Sequence, residues 1–290
     1  MKTIESFISK ANDINITVKG EQVTIISKQE VIDFILDVHG KQYVNRSQAK
    51  KLTKLSYLGG VNVSSKIEKG SLLEYSTYVM YLAPYKGLFG NVCAQGEHCY
   101  KPCLNTSGRV KMDVNEYKIL RARHFRTMLF YVNREYFNRW LFDEINSAKR
   151  NSSSKFMVRL NGTSDLSPSL FVVNGLNVLE AFPDVQFYDY TKIFSRIKLM
   201  SKYSNYHITF SFNGYNMDEC RKAQALGINV SIVIDGPMPT MFMGKRVFSM
   251  DTTDLRPLDE LRGAFGYLKL KKTLNAEYDG KFVIKLNQLN

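Results

Sequence analysis

The chain has 290 residues, of which 44% are hydrophobic, 23% charged and 12% aromatic; this excludes a disordered or low-complexity protein and leaves enough length to bury a core without disulfides. Its 40 Lys and Arg against 27 Asp and Glu give a net charge of +13, which points to nucleic acid or a phosphorylated ligand as partner, or else to a solvated basic surface, because the excess is spread along the chain. No apolar run is long enough for a bilayer span or a signal peptide, so a cytoplasmic protein with no membrane partner is expected.

Residues 1–70 read as a small α+β accessory lobe. "NITVKGEQVTIIS" alternates like a hairpin, and Lys28 to Val38 places Val31, Phe34, Ile35 and Val38 at helical spacing. "RSQAKKLTKLSYLGG" then predicts a second helix, with Ser47 as its N-cap and Gly59 and Gly60 as its end.

Residues 71–290 are more regular. Tyr75 to Leu82 predicts a strand, and a long helical stretch from Val114 to Ala148, broken near Asn133, offers Phe125, Leu129, Tyr136, Trp140 and Phe142 to a core. Strand-like segments follow at Lys155 to Asp165, Val185 to Lys192, Tyr206 to Gly214, Asn229 to Gly236, Arg246 to Asp254 and Ala264 to Lys271. Helix-length segments at Leu176 to Phe182, Tyr190 to Met200 and Asp218 to Leu226 separate several of them. Strands alternating with helices imply parallel pairing, so the expected fold is α/β, a full or partial (β/α) barrel that is incomplete or irregular where the last spacers shorten.

In such a barrel, functional side chains gather at the carboxyl ends of the strands. Those endings supply Asn161, Thr163, Ser164, Asp165, Asp189, Lys192, Ser211, Asn213, Asp235, Asp251, Asp254 and Lys269. Arg159, Lys192, Lys269 and Lys271 are candidates for a substrate phosphate or carboxylate, with Asp251 and Asp254 beside them. Each also has a purely structural alternative: Arg159 and Asp165 as a buried ion pair, Asp189 as a helix cap, the last two lysines as edge-strand solubilisers.

Cys93, Cys99 and Cys103 lie within eleven residues, spaced C-x5-C-x3-C, in "NVCAQGEHCYKPCLNTSGR". In a reducing compartment such clustering favours metal or redox chemistry over a disulfide. Three thiolates on a loop made flexible by Gly87, Gly90 and Gly96 suit three irons of a [4Fe-4S] cluster with the fourth left open. Zinc, completed by His98 or Cys220, is the rival, and packed or redox-active thiols without metal are the third reading. Cys220 itself reads as an apolar residue on a helix.

"YLAPYKGLFGNVCAQGEHCYKPCLNTSGR", "VRLNGTSDL", "FPDVQFYDYTK", "NYHITFSFNGYN" and "DTTDLRPLD", in this order between Leu55 and Leu270, resemble the phage "gene product 88" family. That resemblance implies a bacteriophage or prophage origin, hence the host cytoplasm, and no particular activity. A cluster loop after the first barrel strand followed by a polar second strand end also looks like the radical S-adenosylmethionine superfamily. By that likeness the cysteines would hold the cluster, Asn161 to Asp165 the methionine amino group of S-adenosylmethionine, and Ser211 and Asn213 the ribose. The superfamily's C-x3-C-x2-C spacing and its Gly-Gly-Glu string are absent from this sequence.

Three functions follow as expectations: a radical enzyme acting on a nucleotide or nucleic acid, a basic nucleic-acid-binding module with zinc or no metal, and an interaction protein for a host factor.

Overall fold

The computed structural model of the chain describes residues 3–40, 56, 58–60, 64–85, 89–100, 102, 103, 105, 107–113, 116–152, 155–272 and 281–285. A short helix, Ile4–Ile8, precedes an antiparallel hairpin of β1 (Ile14–Val18) and β2 (Glu21–Ile26), as its alternation predicts. Helix Lys28–Gly40 follows and buries Val31, Phe34, Ile35 and Val38. These residues pack on helix Lys118–Val132, where Phe34 meets Phe125 with ring centroids 5.0 Å apart and Arg121 pairs with Glu30 at 2.5 Å. Most of the predicted second helix, including Ser47, lies outside the described residues; its end differs from the expectation, because Leu58–Gly59 form strand β3.

The seven predicted strands all form and all pair in parallel: β4 (Tyr75–Met80), β5 (Lys155–Arg159), β8 (Gln186–Thr191), β9 (Tyr206–Ser211), β10 (Val230–Asp235), β12 (Lys245–Ser249) and β13 (Phe265–Lys269). Two-residue strands β6 (Val172–Val173) and β7 (Leu176–Asn177) make a separate hairpin, and β11 (Met241–Phe242) pairs antiparallel with β12. The main sheet runs β11-β12-β13-β10-β9-β8-β5-β4-β3, with β14 (Val283–Lys285) also on β10.

The long helical stretch does break at Asn133, whose side chain accepts a hydrogen bond from Tyr136 N at 3.0 Å and so starts helix Arg134–Arg150. Tyr136, Trp140 and Phe142 of this helix are buried as expected, with Leu129 of the helix before it. Helix Met217–Ala225 also forms, whereas Tyr190 to Met200 is shared between the end of β8, a 3-10 turn over Phe194–Lys198 and the start of helix Leu199–Lys202.

Parallel register gives the sheet two unlike faces. Val158, Phe187, Ile208, Phe210, Val230, Ile232 and Phe265 share one face and join Phe137, Leu141, Ile145, Cys220 and Ala223 in a single apolar cluster. The other face carries Thr77, Met157, Arg159, Tyr188, Tyr190, His207, Thr209, Ser211 and Ser231. In a closed barrel this polar face would line the interior.

Among the described residues the barrel does not close, so of the full or partial barrel expected, with irregularity at its last strands, the full barrel is corrected. Among the described residues nothing pairs β3 with β11, and the order of β12 and β13 is exchanged relative to the chain. The physical reason lies in the connection between those strands. Residues 250–262 return across the polar face, where Leu255 packs with Met157, Tyr188 and Tyr75. Met250 crosses directly over Gly266: a Cβ there would stand 2.1 Å from the Met250 methyl carbon. Helix Ser65–Ser71 covers the same segment, with Gly70 against Leu255. The chain's own backbone therefore occupies the volume that closure would enclose.

A second irregularity sits between β9 and β10. They pair only through Phe210–Val230 and Ser211–Ser231; beyond that point β14 takes the vacated side of β10, from Val233 to Asp235. Gly214, at φ +99°, lets the chain pass the Lys281–Phe282 backbone, which a Cβ would approach to 3.0 Å.

Two predictions follow from this packing. Gly266→Ala should cost about 1–3 kcal/mol in urea unfolding by overpacking Met250, and Met250→Ala should recover part of the loss in the double variant. His207 and His124 are both lowered to about 4, chiefly by burial, so each stays neutral in the folded chain where it would charge in the unfolded one. The stability they contribute is complete above pH 6.5 and is lost as pH falls towards 4. Asp259, pushed up to about 6 by burial, acts in the opposite sense over much of that window. Unfolding measured between pH 4 and 7 should therefore show a shallower acid loss in His207→Gln than in the parent chain.

Candidate functional site

The carboxyl ends of β4, β5 and β8 meet under the cysteine loop. Tight turns build the loop: Gly96 N donates to Cys93 O at 2.9 Å, Cys99 N to Gly96 O at 3.2 Å and Cys103 N to Tyr100 O at 3.2 Å. Glycine is required at 96, because a Cβ there would lie 2.9 Å from Cys93 O and 3.2 Å from its Sγ. Gly87 lies outside the described residues. None of the three forms a disulfide; Cys93 and Cys99 are buried and Cys103 partly so.

The loop is tied down from both sides. Asp165 N donates to Val92 O at 2.7 Å, Gly162 N to Met80 O at 2.9 Å, and the Thr163 hydroxyl to Leu82 O. From helix Lys118–Val132, the Thr127 hydroxyl accepts from Ala83 N at 2.8 Å, Arg126 donates to Tyr81 O at 2.9 Å, and Arg123 donates to Asn105 Oδ1 at 2.9 Å. Arg123 is buried and lies over the Tyr81 ring at 4.9 Å.

The thiols share one electrostatic environment. Burial pushes the Cys93 thiol up to about 12, with the Lys192 charge opposing and Asp165 and the other two thiols adding to the rise. Burial also raises Cys103, on which Cys99, Lys192 and Arg123 all act. Lys192 remains charged: burial works against it, but Cys99, Cys93, Asp165 and Cys103 together outweigh burial. At neutral pH Cys93 is thus a protonated thiol rather than an activated nucleophile, which disfavours the redox-active reading. A bound metal would displace its proton.

Below the loop lies a buried polar network. Asp189 accepts from Asn161 N at 2.7 Å, Asn161 Nδ2 at 2.9 Å and the Tyr206 hydroxyl at 2.9 Å. Asp165 accepts from the Thr191 hydroxyl at 2.7 Å and Lys192 N at 2.8 Å, and Asn161 Oδ1 accepts from Ser164 Oγ and Leu166 N, both at 2.8 Å. Arg196 joins the two carboxylates, pairing with Asp165 and lying 3.4 Å from Asp189. Burial holds Asp189 above the usual carboxylate range despite that guanidinium. Sequence reasoning missed Arg196 and Tyr206. The available signal was an arginine between Phe194 and Ile197, where the spacing calls for a core residue.

The other predicted residues separate into groups. Arg159 pairs with Asp254 at 3.0 Å and not with Asp165, the Tyr188 hydroxyl donates to the same Asp254 carboxylate at 2.9 Å, and the Tyr190 ring lies 4.5 Å from the guanidinium. This pair belongs to the covered polar face. Asp251 is held by Lys66 at 2.7 Å and by Lys269 N at 2.7 Å, while the Lys269 side chain stays exposed. Ser211 Oγ meets Ser231 Oγ at 3.0 Å. Asn213 accepts from Tyr215 N and Asn216 N and so shapes the entry to helix Met217–Ala225, rather than presenting its side chain to the mouth. Asp235 is exposed and in register with Lys285. His98 leaves the thiols and stacks on Tyr215 with ring centroids 3.9 Å apart, and Cys220 is buried on its helix. Among the described residues, no three His, Cys, Asp or Glu side chains form a group that could hold a metal ion.

Because Arg196 compensates two buried carboxylates, Arg196→Met should destabilise the chain by about 3–5 kcal/mol in urea unfolding. Arg196→Lys should recover only part, since a single ammonium cannot reproduce the fork that reaches Asp165, Asp189 and Tyr206.

No described helix is long and apolar enough to cross a membrane. No curated protein and no solved structure matches the chain. The family model described as "Gene product 88" matches residues 42–275, which leaves the N-terminal hairpin, its helix and β14 outside the match and takes in the cysteine loop, the buried network and the rest of the main sheet. The chain belongs to the Gene product 88 family, the phage family that its five motifs resemble.

Proposed function

We propose that this protein binds an iron–sulfur cluster through Cys93, Cys99 and Cys103. The observation that carries the reading is the shared setting of the three cysteines: one turn-built loop, pinned to the ends of the parallel strands, with the charges of Lys192 and Arg123 acting on it. Thiolates brought together repel, and the two cations offset that repulsion when the thiols lose their protons to iron. When bound, a [4Fe-4S] cluster on three thiolates supplies single electrons and leaves one iron for an external ligand.

Zinc fits the donors less well. A single tetrahedral ion needs sulfurs gathered at bonds of about 2.3 Å, whereas a cluster spreads its ligands over separate irons, and His98 and Cys220 are committed elsewhere. The amino-group role expected for Asn161 to Asp165 also fits poorly. Asp165 and Asp189 are saturated by Arg196, Thr191, Tyr206 and backbone N–H groups, so neither offers a carboxylate to the ammonium of S-adenosylmethionine. The chain's own contribution to cluster chemistry is therefore to fix the loop, exclude water from two thiols and supply Lys192 as counter-charge.

Anaerobic reconstitution with iron and sulfide should give a brown protein with a broad visible band and about four irons per chain. Alanine at Cys93, Cys99 or Cys103 should abolish the band, and Cys220→Ala should leave it intact. A colourless, iron-free product would overturn the proposal, as would stoichiometric zinc that resists exchange.

A further inference from the structure

The rim around the cysteine loop carries exposed aromatic rings. Tyr100, within the loop, is 47% exposed, and Tyr215, just beyond β9, is 51% exposed. Both are held by a neighbouring ring: Tyr85 lies 5.4 Å from Tyr100 and His98 lies 3.9 Å from Tyr215. His98 and Tyr100 are two residues apart in the same loop, so the two rings belong to one ledge. Two half-exposed rings beside the same loop offer flat faces on which a planar ligand can stack.

Exposed cations accompany the rings. Lys281 lies over Tyr215 at 4.5 Å, and its flexible stem lets the ammonium leave the ring for a phosphate. The parallel pairing of β14 with β10 sets Lys285 level with Asp235 at the end of β10, near the end of β13 at Lys269, with Lys271 two residues further on, while Lys281, ahead of β14, lies against Gly214 just past the end of β9. Among the described residues, the acidic groups near this edge are Asp251, committed to Lys66 and Lys269 N, Asp235, in register with Lys285, the exposed Glu97, and Asp218 and Glu219 in the first turn of the helix after Tyr215, where Asp218 lies 3.5 Å from Arg221.

We propose that this rim binds single-stranded nucleic acid, with bases stacking on Tyr100 and Tyr215 and the phosphates met by Lys269, Lys271, Lys281 and Lys285. Unpaired strands combine π faces with regularly spaced charge, which is what separated aromatic platforms among lysines recognise. A duplex hides its bases and would engage the lysines alone. The inference deepens the cluster reading by naming a substrate class for the mouth that the cluster would occupy, and it depends on that reading only through the shared loop.

The test uses the full chain, reconstituted and metal-free, with a fluorescent oligothymidylate of about 16 nucleotides and a duplex of equal length, read by anisotropy. Tighter binding of the single strand, falling steeply with salt, is expected. Tyr100→Ala and Tyr215→Ala should each weaken it about ten-fold, with Tyr215→Phe close to the parent and iron content unchanged in both Tyr215 variants. Equal or tighter duplex binding, binding indifferent to salt, or alanine variants matching the parent would overturn the inference. Single-strand binding by a chain that takes up no iron would uphold it while overturning the cluster reading.

Discussion

Two carboxylates, Asp165 and Asp189, stand fully enclosed at the ends of neighbouring parallel strands, and a single buried guanidinium, Arg196, makes that burial tolerable. An unpaired carboxylate in such a place would cost several kcal/mol, so the position of Arg196 constrains everything that touches the pair. Asn161, Thr191, Tyr206 and Lys192 N are oriented by these two acids, and through Asp165 N the same network reaches Val92 at the threshold of the cysteine loop. The loop's fixed points are therefore backbone hydrogen bonds to this network and to the ends of β4 and β5.

The opposite side of the sheet obeys a different constraint. Its residues are polar, and a chain segment with its own charges is needed to cover them: Asp254 answers Arg159 and Tyr188, and Leu255 fills the apolar gap between them. Covering this face from within the chain prevents the sheet from curling shut. The consequence is that the polar face is already covered by residues 250–262 and leaves no room along a barrel axis. Lys192, Lys269, Tyr100 and Tyr215 stand at the carboxyl rim; Arg159 and Asp254 do not.

Much of the architecture was legible in the residues. Apolar runs such as Val230 to Ile234 and Phe187 to Thr191 are bounded by turn formers, and their regular recurrence leaves parallel pairing as the economical arrangement. The helix break near Asn133 was legible, its cap on Tyr136 N only in the structure, and three cysteines in eleven residues marked the loop. The candidate site was less legible. Polar residues at strand ends were visible as a group, yet ligand-facing and network-forming acids look alike in one dimension, and Asp165 and Asp189 proved to be the second kind once Arg196 was placed between them.

By itself the sequence determined the α/β class and the existence of a cysteine loop, because these rest on local periodicity and spacing, which neighbouring residues carry, and it carried the five motifs by which the chain resembles its family. Tertiary structure alone decided that the sheet stays open, that β14 enters between β9 and β10, and that Arg159 belongs to Asp254 while Arg196 serves two carboxylates. Those pairings join residues up to 95 positions apart. Partner choice at that separation is settled by which charges the packed core brings within a few ångströms, a quantity that no local pattern contains.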